Sequence, residues 1–231
     1  MKKIAIIVAG GSGQRMNMSV PKQFLLLQNK PILFHTMAAF KSAIPSIELI
    51  LVLPINQFDY WKDLGTQYPE IHTQTPHKLV AGGETRFHSS LAGIQSIEES
   101  SACLVAIHDG VRPLIEKETI QNAFKEAEMH GNAVVAVPSK DSIRQWNEAS
   151  TRFEAVPREE IRLIQTPQIF RIESLINSFS VGYQSYFTDD ASVVEHAGEK
   201  IHLVAGTYSN IKITTPEDLA LAEILKVASY E

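Results

Sequence analysis

The sequence predicts a doubly wound α/β domain with a mostly parallel sheet, and two patterns carry this prediction. Short apolar runs rich in β-branched residues recur along the chain, which fits strands that helices cover on both faces. Stretches with an apolar residue every three or four positions lie between these runs, which fits helices that pack on such a sheet. Strand and helix patterns that alternate in this way are typical of a doubly wound domain.

The predicted strands are the short apolar runs. A glycine cluster follows the first run at once, and Pro54 ends the second. The third contains the single cysteine, Cys103, which cannot form an intrachain disulfide and is expected to be a buried strand residue. In chain order the runs are KIAIIV at 3–8, ELILVLP at 48–54, CLVAIHD at 103–109 and AVVAVP at 133–138.

The predicted helices are amphipathic stretches at 31–43, 85–98, 117–130 and 216–227. Pro31 suits the first turn of the first helix, where a backbone N–H has no partner. Glu84 or Thr85 is expected to cap the second, and Gly131 to end the third. The inward face of the last helix is expected to consist of Leu219, Leu221 and Ile224.

Residues 139–160 break this rhythm. Two short strand patterns, 142–146 and 152–156, flank a polar NEAS turn. One interpretation is a β-hairpin arm that projects from the sheet, and the other is an ordinary surface excursion. The pattern alone leaves both open, and either fits one domain over residues 1–231, since that length can bury a single core.

Composition excludes several classes of protein. The net charge of −5 does not fit a nucleic-acid-binding surface, so a local cluster of cations must hold any anionic substrate. The apolar stretch after the two N-terminal lysines is too short for a secretory signal, and no run approaches the roughly 18 apolar residues of a membrane span. We therefore expect a cytoplasmic protein with no nucleic-acid or membrane partner.

The stretch VAGGSGQRM…PK, residues 8–22, has the features of a phosphate-binding loop. Glycines let backbone N–H groups approach a phosphate, and Arg15 and Lys22 add positive charge; the alternative is a tight turn that needs glycine only for its geometry. It is not a P-loop, because Lys22 lies far beyond the glycines and no Ser or Thr follows it. A dinucleotide fingerprint is disfavoured, since Met16 occupies the place of the third glycine.

Two further motifs follow predicted strands. AGGETRFHSS, at 81–90, contains Arg86 and could seat a flat base against its glycine turn, or could simply be a helix entry. HDGVRP, at 108–113, follows the central apolar strand, and open α/β sheets bind ligands at the carboxyl ends of their strands. There Asp109 could contact Mg²⁺, a hydroxyl or Arg112, or the two side chains could only close a loop.

Three polar motifs lie in the last third of the chain: QTPQIF at 165–170, TDDAS at 188–192 and NIKITTPEDL at 210–219. Asp189 and Asp190 precede a helical run and could be caps. Lys212 lies between Ile211 and Ile213 in a predicted short strand, so it points to the opposite face, toward an anion. The alternative is a solvent-facing lysine on an edge strand.

Together these motifs resemble those of the 2-C-methyl-D-erythritol 4-phosphate cytidylyltransferases of the non-mevalonate isoprenoid pathway. VAGGSGQRM…PKQF, GGETR, HDGVRP, QTPQIF, TDDAS and NIKITTPEDLALAE occur in the family's order, from Ile4 to Glu223. AGG and PK are shared with many nucleotidyltransferases, whereas the later motifs are more specific. The resemblance implies a Rossmann-like nucleotidyltransferase domain with a protruding β-hairpin arm at 139–160, and a homodimer whose arms interlock.

The resemblance also implies the substrates, CTP and a small polyol phosphate, and the site residues. Mg²⁺ is implied too; we expect the CTP phosphates to hold it, without a dedicated protein cage. The implied catalytic residues are Arg15, Lys22, Arg158 and Lys212. Those on the nucleotide side are Ala9, Gly10, Gly11, Gly13, Gly83, Arg86 and Ser89. Those on the acceptor side are Asp109, Arg112, Ser142, Thr166 and Thr188. Ser142 replaces a threonine of some members, and Gly110 a small side chain.

The residue types fit this chemistry. The acceptor's phosphate oxygen is already a nucleophile, so no strong general base is needed, and catalysis depends on alignment and charge neutralisation. The sequence leaves three alternatives: the same transfer with ribitol 5-phosphate as acceptor, a catalytically silent sugar-nucleotide-binding protein and a nicotinamide dehydrogenase. Retention of all four cations argues against the silent protein.

Overall fold

The computed structural model describes residues 1–10, 20–98 and 102–228. The strands are β1 (Lys2–Val8), β2 (Leu26–Leu27), β3 (Lys30–Pro31), β4 (Glu48–Leu53), β5 (His77–Ala81), β6 (Cys103–Asp109), β7 (Asn132–Pro138), β8 (Ile143–Asn147), β9 (Arg152–Val156), β10 (Arg162–Arg171) and β11 (Leu203–Ala205). The helices are α1 (Ile32–Ala43), α2 (Phe58–Gln67), α3 (Glu70–Thr73), α4 (Arg86–Gln95), α5 (Lys117–His130), α6 (Ile172–Phe179), α7 (Asp190–His196) and α8 (Pro216–Ala228). No helix within these ranges is long and apolar enough to cross a bilayer.

The central sheet confirms the predicted fold class. Within the described ranges it has seven strands in the order β11-β7-β10-β6-β1-β4-β5. Strand β10 pairs antiparallel with β6 and β7, whereas the other neighbouring pairs are parallel. The carboxyl ends of β1, β4, β5 and β6 therefore lie along one edge, and the turns that follow β4, β5 and β6 gather there.

The sheet is covered on both faces, as the continuous apolar runs predict. Along β1, Ile4 and Ile6 pack into one core cluster, and Ala5 and Ile7 into another. The first cluster includes residues of α4, α6 and α7, and the second residues of α1, α2 and α5. Because a fully buried isoleucine contributes about 1.5–3 kcal/mol, this double burial stabilises the central strands most. Cys103 is buried and reduced, as expected.

The four predicted helices are all present, with corrections in detail. Pro31 is the N-cap residue of α1 and not part of its first turn. The Thr85 side chain caps α4, and Gly131 ends α5 at φ 89°, a left-handed conformation that glycine adopts without strain. The predicted face of α8 was wrong: Leu221 and Ile224 are exposed. The inward residues of α8 are Leu219, Ala222 and Leu225, at a helical spacing of three.

Three strands of the sheet were not predicted, because none is a continuous apolar run. The edge strand β5 is only partly buried. Strand β10 buries polar side chains, and its pairing with β7 shifts register between Ile164 and Gln168. Strand β11 has three residues. Conversely, the short strand predicted around Lys212 is not regular; Ile213 N–H bonds instead to the carbonyl of Val111, at 2.9 Å.

Residues 139–160 contain the two predicted short strands as an antiparallel pair. Strand β8 pairs with β9 over five positions, from Ile143 opposite Val156 to Asn147 opposite Arg152. Trp146 and Phe153 lie opposite each other on this hairpin with ring centroids 5.1 Å apart. Their exposed fractions are 49% and 64%, so within the described part of this chain most of this aromatic surface is uncovered.

Candidate active site

A cleft of about 390 Å³ lies at the carboxyl ends of the parallel strands. A second depression, of about 250 Å³, adjoins it, and Arg86, Asp109 and Lys212 line both. The first also contains the described nucleotide-side residues of the sequence analysis: Ala9, Gly10, Gly83 and Ser89. The second contains three of the acceptor-side residues: Arg112, Thr166 and Thr188. The structure thus brings both predicted groups together on either side of one charged cluster.

Larger depressions elsewhere among the described residues are not lined by Arg86, Asp109 or Lys212. One, of about 610 Å³, lies at the amino ends of β1 and β4. Four of its charged side chains form two ion pairs, Lys2 with Glu48 at 2.9 Å and Lys78 with Glu98 at 2.9 Å. Because open α/β sheets bind ligands at the carboxyl ends of their strands, the two adjoining depressions are the better candidate site.

Asp109 is the centre of the charged cluster. Its Oδ1 lies 3.4 Å from Nε of Arg86, and its Oδ2 lies 3.2 Å from Nε of Arg112 and 3.0 Å from Nζ of Lys212. Burial by itself raises the pKa of Asp109, but the charges of Arg86, Lys212 and Arg112 more than offset it and hold the pKa well below its ordinary value. The carboxylate is therefore ionised at any physiological pH and positions three cations.

Arg86 is held from two sides. Its Nη1 donates to Oδ2 of Asp190 at 2.6 Å, and the Asp190 side chain is 1% exposed. Burial lowers the pKa of Arg86, but Asp190 and Asp109 outweigh this and raise it, so the guanidinium stays charged. Its Nη2 is buried and has no hydrogen-bond partner among the described residues. The Arg86 side chain is 26% exposed and lines both depressions, so its guanidinium can contact a ligand.

The backbone at the start of the glycine loop is fixed by Gln23. This side chain is 1% exposed, and its Nε2 donates to the carbonyl of Ala9 at 3.0 Å and to Oε1 of Gln57 at 2.6 Å. It is adjacent to Lys22, and both residues line the cleft. Gln23 belongs to the PKQF motif, but the sequence pattern alone does not reveal this role. Gly11, Gly13 and Arg15, predicted for this loop, lie outside the described residues.

The glycine turn after β5 meets the start of α4 at close range. A Cβ added to Gly83 would lie 2.5 Å from the Cβ of His88, so no larger residue fits there without movement. Ser89 is buried and its Oγ donates to the carbonyl of Gly83 at 3.4 Å. Gly83 therefore lies directly against the start of α4, and both Gly83 and Ser89 line the cleft.

The acceptor-side depression is organised by strand β10. Thr166 Oγ1 accepts a hydrogen bond from the backbone N–H of Asp109, at 3.1 Å. Gln168 Nε2 donates to Oδ2 of Asp189 at 2.7 Å, and its Oε1 accepts from the N–H of Ala191 at 2.8 Å. Asp189 in turn caps α7. The QTPQIF motif contains Gln168, whose role the sequence does not reveal: it joins the strand to the TDDAS turn that carries Thr188.

Lys212 reaches Asp109 because the irregular segment before α8 is anchored on both sides. Asn210 is fully buried and donates to the carbonyl of Thr166 at 2.9 Å, while its own carbonyl accepts from Arg112 at 2.8 Å. Lys212 Nζ therefore lies 3.0 Å from Asp109 Oδ2, although the segment around it is not the short strand from which its orientation was predicted. The Lys212 side chain is 41% exposed and can still reach a ligand.

Ser142 and Arg158 lie apart from these residues. Both are exposed, and neither lines either depression of this chain. Arg158 Nη1 donates to the carbonyl of Lys140 at 3.2 Å, and its Nε lies 3.4 Å from Oε1 of Glu159. The cleft of a single chain therefore does not contain these two predicted residues.

His108, which precedes Asp109, gives the fold a predicted pH dependence. Burial lowers the pKa of His108 to about 3, although Asp109 acts in the opposite direction. The unfolded chain has a histidine pKa of about 6.5, so it binds this proton first as the pH falls. The stabilising contribution of neutral His108 is thus complete above about pH 6.5 and is lost progressively between pH 6.5 and pH 3.

We expect His108→Gln to make stability less sensitive to acid. Between pH 7 and pH 5 the loss in free energy of unfolding should be about 2 kcal/mol smaller than in the unsubstituted protein. Urea titrations at the two pH values measure this difference. His196→Gln, at an exposed position, is the matched control. Equal pH dependence in the His108→Gln and unsubstituted proteins would contradict the expectation.

The known proteins that this chain resembles are consistent with the arrangement of the site. Residues 3–227 match the family described as IspD, 2-C-methyl-D-erythritol 4-phosphate cytidylyltransferase. Curated relatives with that name include those of Azobacteroides pseudotrichonymphae (46% identical; 97% of this chain, 98% of that one) and Bacteroides thetaiotaomicron (42%; 97% and 100%). A solved 4-diphosphocytidyl-2C-methyl-D-erythritol synthase from Anaerococcus prevotii is 28% identical, with TM-score 0.82 over 98% of each chain. The chain therefore belongs to the 2-C-methyl-D-erythritol 4-phosphate cytidylyltransferase family.

Proposed function

We propose that this chain transfers CMP from CTP to 2-C-methyl-D-erythritol 4-phosphate and releases pyrophosphate, as a step of isoprenoid precursor biosynthesis. The observation that carries the proposal is the pair of adjoining depressions bridged by Arg86, Asp109 and Lys212. One holds the glycine-lined walls expected of a nucleotide site, and the other the hydroxyl and amide groups expected of a polyol site. Family membership supports both substrates.

The reaction depends on positive charge around the phosphates and does not need a strong general base. An oxygen of the acceptor phosphate attacks the α-phosphorus of CTP, a P–O bond forms, and the bond to the departing pyrophosphate breaks. We assign Lys22 to the triphosphate, and Lys212 to the position between the α-phosphate and the acceptor phosphate. Arg86, which lines both depressions, would bind an acceptor atom of the nucleotide. These fixed charges stabilise the transition state because they need no reorganisation during the reaction.

Mg²⁺ fits this site only as a partner of the nucleotide. Both oxygens of Asp109 already face cations, at 3.0–3.4 Å, so the carboxylate is poorly placed to donate to a metal. Mg²⁺ usually keeps several waters and binds through substrate phosphates. When bound to CTP it would offset triphosphate charge, while Asp109 of this chain positions Arg86, Arg112 and Lys212.

We further propose that the protein is a cytoplasmic homodimer, joined through the arm at 139–160. A two-stranded hairpin is marginal by itself in water, and Trp146 and Phe153 expose an aromatic surface that a second arm could cover. A two-fold axis would make this contact isologous and give two equivalent sites. The arm of one subunit would then bring Arg158 and Ser142 to the acceptor side of the other. The net charge of −5 disfavours binding to nucleic acid, so we propose no nucleic-acid partner.

Pyrophosphate release with different substrate pairs tests the function. We expect release with CTP and methylerythritol phosphate, and strong preference for CTP over UTP, because a site that hydrogen-bonds the cytosine amino group leaves polar groups unpaired with uracil. Ribitol 5-phosphate is the matched acceptor control. Equal rates with either acceptor, or with either pyrimidine nucleotide, would contradict the proposed specificity. If no pair of nucleotide and acceptor released pyrophosphate, the chain would instead be a catalytically silent binding protein.

A further inference from the structure

Three metal-ligating side chains meet outside the cleft: Glu126 and His130 of α5, and His202 just before β11. Among the described residues they are the one group of three such side chains whose donor atoms lie within 4.8 Å of one another. Glu126 Oε2 lies 3.4 Å from Nε2 of His130 and 3.2 Å from Nε2 of His202. The proposed reaction uses none of them.

These spacings suit a tetrahedral ion. Ligand atoms about 2.0–2.1 Å from a tetrahedral Zn²⁺ lie about 3.3 Å from one another, close to both distances from the carboxylate oxygen. The two imidazole rings are stacked, with centroids 3.9 Å apart and planes at 20°. They would have to turn to direct both lone pairs at one ion. Side-chain exposures of 46% for His130 and 37% for His202 leave room for that rotation.

The backbone around the three ligands is already fixed. Glu126 and His130 are one helical turn apart on α5, so they share a face. The N–H of His202 donates to Oδ1 of buried Asn132 at 2.8 Å, and its carbonyl accepts from the N–H of Val134 at 2.8 Å. Only side-chain rotation therefore remains to be restricted when an ion binds, which keeps the entropic cost small.

We propose that Glu126, His130 and His202 bind one divalent transition-metal ion of the zinc class. Two imidazoles and one carboxylate favour Zn²⁺ over Mg²⁺, which prefers oxygen ligands. The site lies where α5 ends and β11 begins, at the amino-end edge of the sheet, whereas the cleft lies at the carboxyl ends. The ion would fasten edge strand β11 to α5, and would be structural and not catalytic.

Calorimetric titration of tag-free, nucleotide-free protein with Zn²⁺ in excess Mg²⁺ tests the proposal. We expect one saturable site per chain, and an increase in Tm of roughly 5–10 °C at 100 times Kd. The double substitution His130→Gln and His202→Gln should weaken Zn²⁺ binding by at least about 10–100-fold. The matched control is His196→Gln, which removes an exposed histidine outside the group.

X-ray absorption of the zinc-loaded protein should show two imidazole nitrogens in the coordination shell.

Cytidylyl transfer by the double variant reports whether that variant is folded, since the substituted residues are outside the cleft. Glu126→Gln is a second variant should the double one fail to fold. Binding that survives the ligand substitutions, or that His196→Gln removes equally, would overturn the proposal. So would absence of saturable binding, which would leave only a hydrogen-bonded histidine–glutamate cluster.

Discussion

Asp109→Asn should lower kcat/KM by about 10²–10³-fold, the size of effect that follows loss of preorganised transition-state electrostatics. The carboxylate holds Arg86, Arg112 and Lys212 at 3.0–3.4 Å from its oxygens. A neutral amide keeps the volume but removes the charge that orients these cations, and it leaves them repelling one another. Steady-state rates of pyrophosphate release at varied CTP and acceptor concentrations measure the loss.

Two further measurements separate positioning from a merely structural role. Asp59→Asn, at a position with a 95% exposed side chain, is the matched control and should change neither rate nor Tm. Asp109→Asn combined with Lys212→Met should be non-additive, because contacting residues in one network couple. A near-normal kcat/KM for Asp109→Asn, whatever its Tm, would show that the cations position themselves and that Asp109 only closes the loop.

Mixing two inactive variants should restore activity if Arg158 acts across a dimer. Arg158→Ala and Lys212→Ala subunits should each be nearly inactive alone. After random exchange about half of the dimers are mixed, and each mixed dimer contains one site with both residues intact. Activity should therefore return to about a quarter of that of the unsubstituted protein. The structural reason is that Arg158 is exposed and lines neither depression of its own chain.

Two control variants accompany the mixing experiment. Arg171→Ala, at an exposed arginine outside the site, should leave activity unchanged. Arg158→Ala mixed with Arg158→Gln should restore nothing, because no site regains the arginine. The shared-site proposal fails if heterodimers form, as differently tagged subunits would show, and activity still does not return. Measured by itself, the Arg158→Ala variant should show a KM for the acceptor that rises far more than its KM for CTP, because a bidentate guanidinium suits the acceptor phosphate.

The elements that sequence predicted well are those whose signal is local. Strands β1, β4, β6 and β7 are buried on both faces, so each is a continuous apolar run. Helix α5 begins and ends where its pattern and Gly131 indicate. The strands that were missed have weaker local signals: β5 is half-exposed at an edge, and β10 buries the polar side chains of Gln165, Thr166 and Gln168.

Helix α8 shows how a local pattern can mislead. This helix has more apolar residues than it has buried positions. Periodicity therefore did not distinguish Ala222, which faces inward, from Ile224, which is 67% exposed. Which residues are buried depends on how the helix lies against the segments around Leu27 and Val111, both in the same cluster. That orientation is a property of the packed chain and not of the helix.

The sequence by itself determined the fold class, the motifs and the family, because apolar period, glycine turns and motif order are all written along the chain. Only the tertiary structure decided which charges meet. Arg86, Asp109, Asp190 and Lys212 come from four separate segments, up to 126 positions apart, and lie within 2.6–3.4 Å of their partners. Parallel strands place Arg86 and Asp109 along one edge, whereas hydrogen bonds to Gln168 and Thr166 of antiparallel β10 hold the segments of Asp190 and Lys212 beside them.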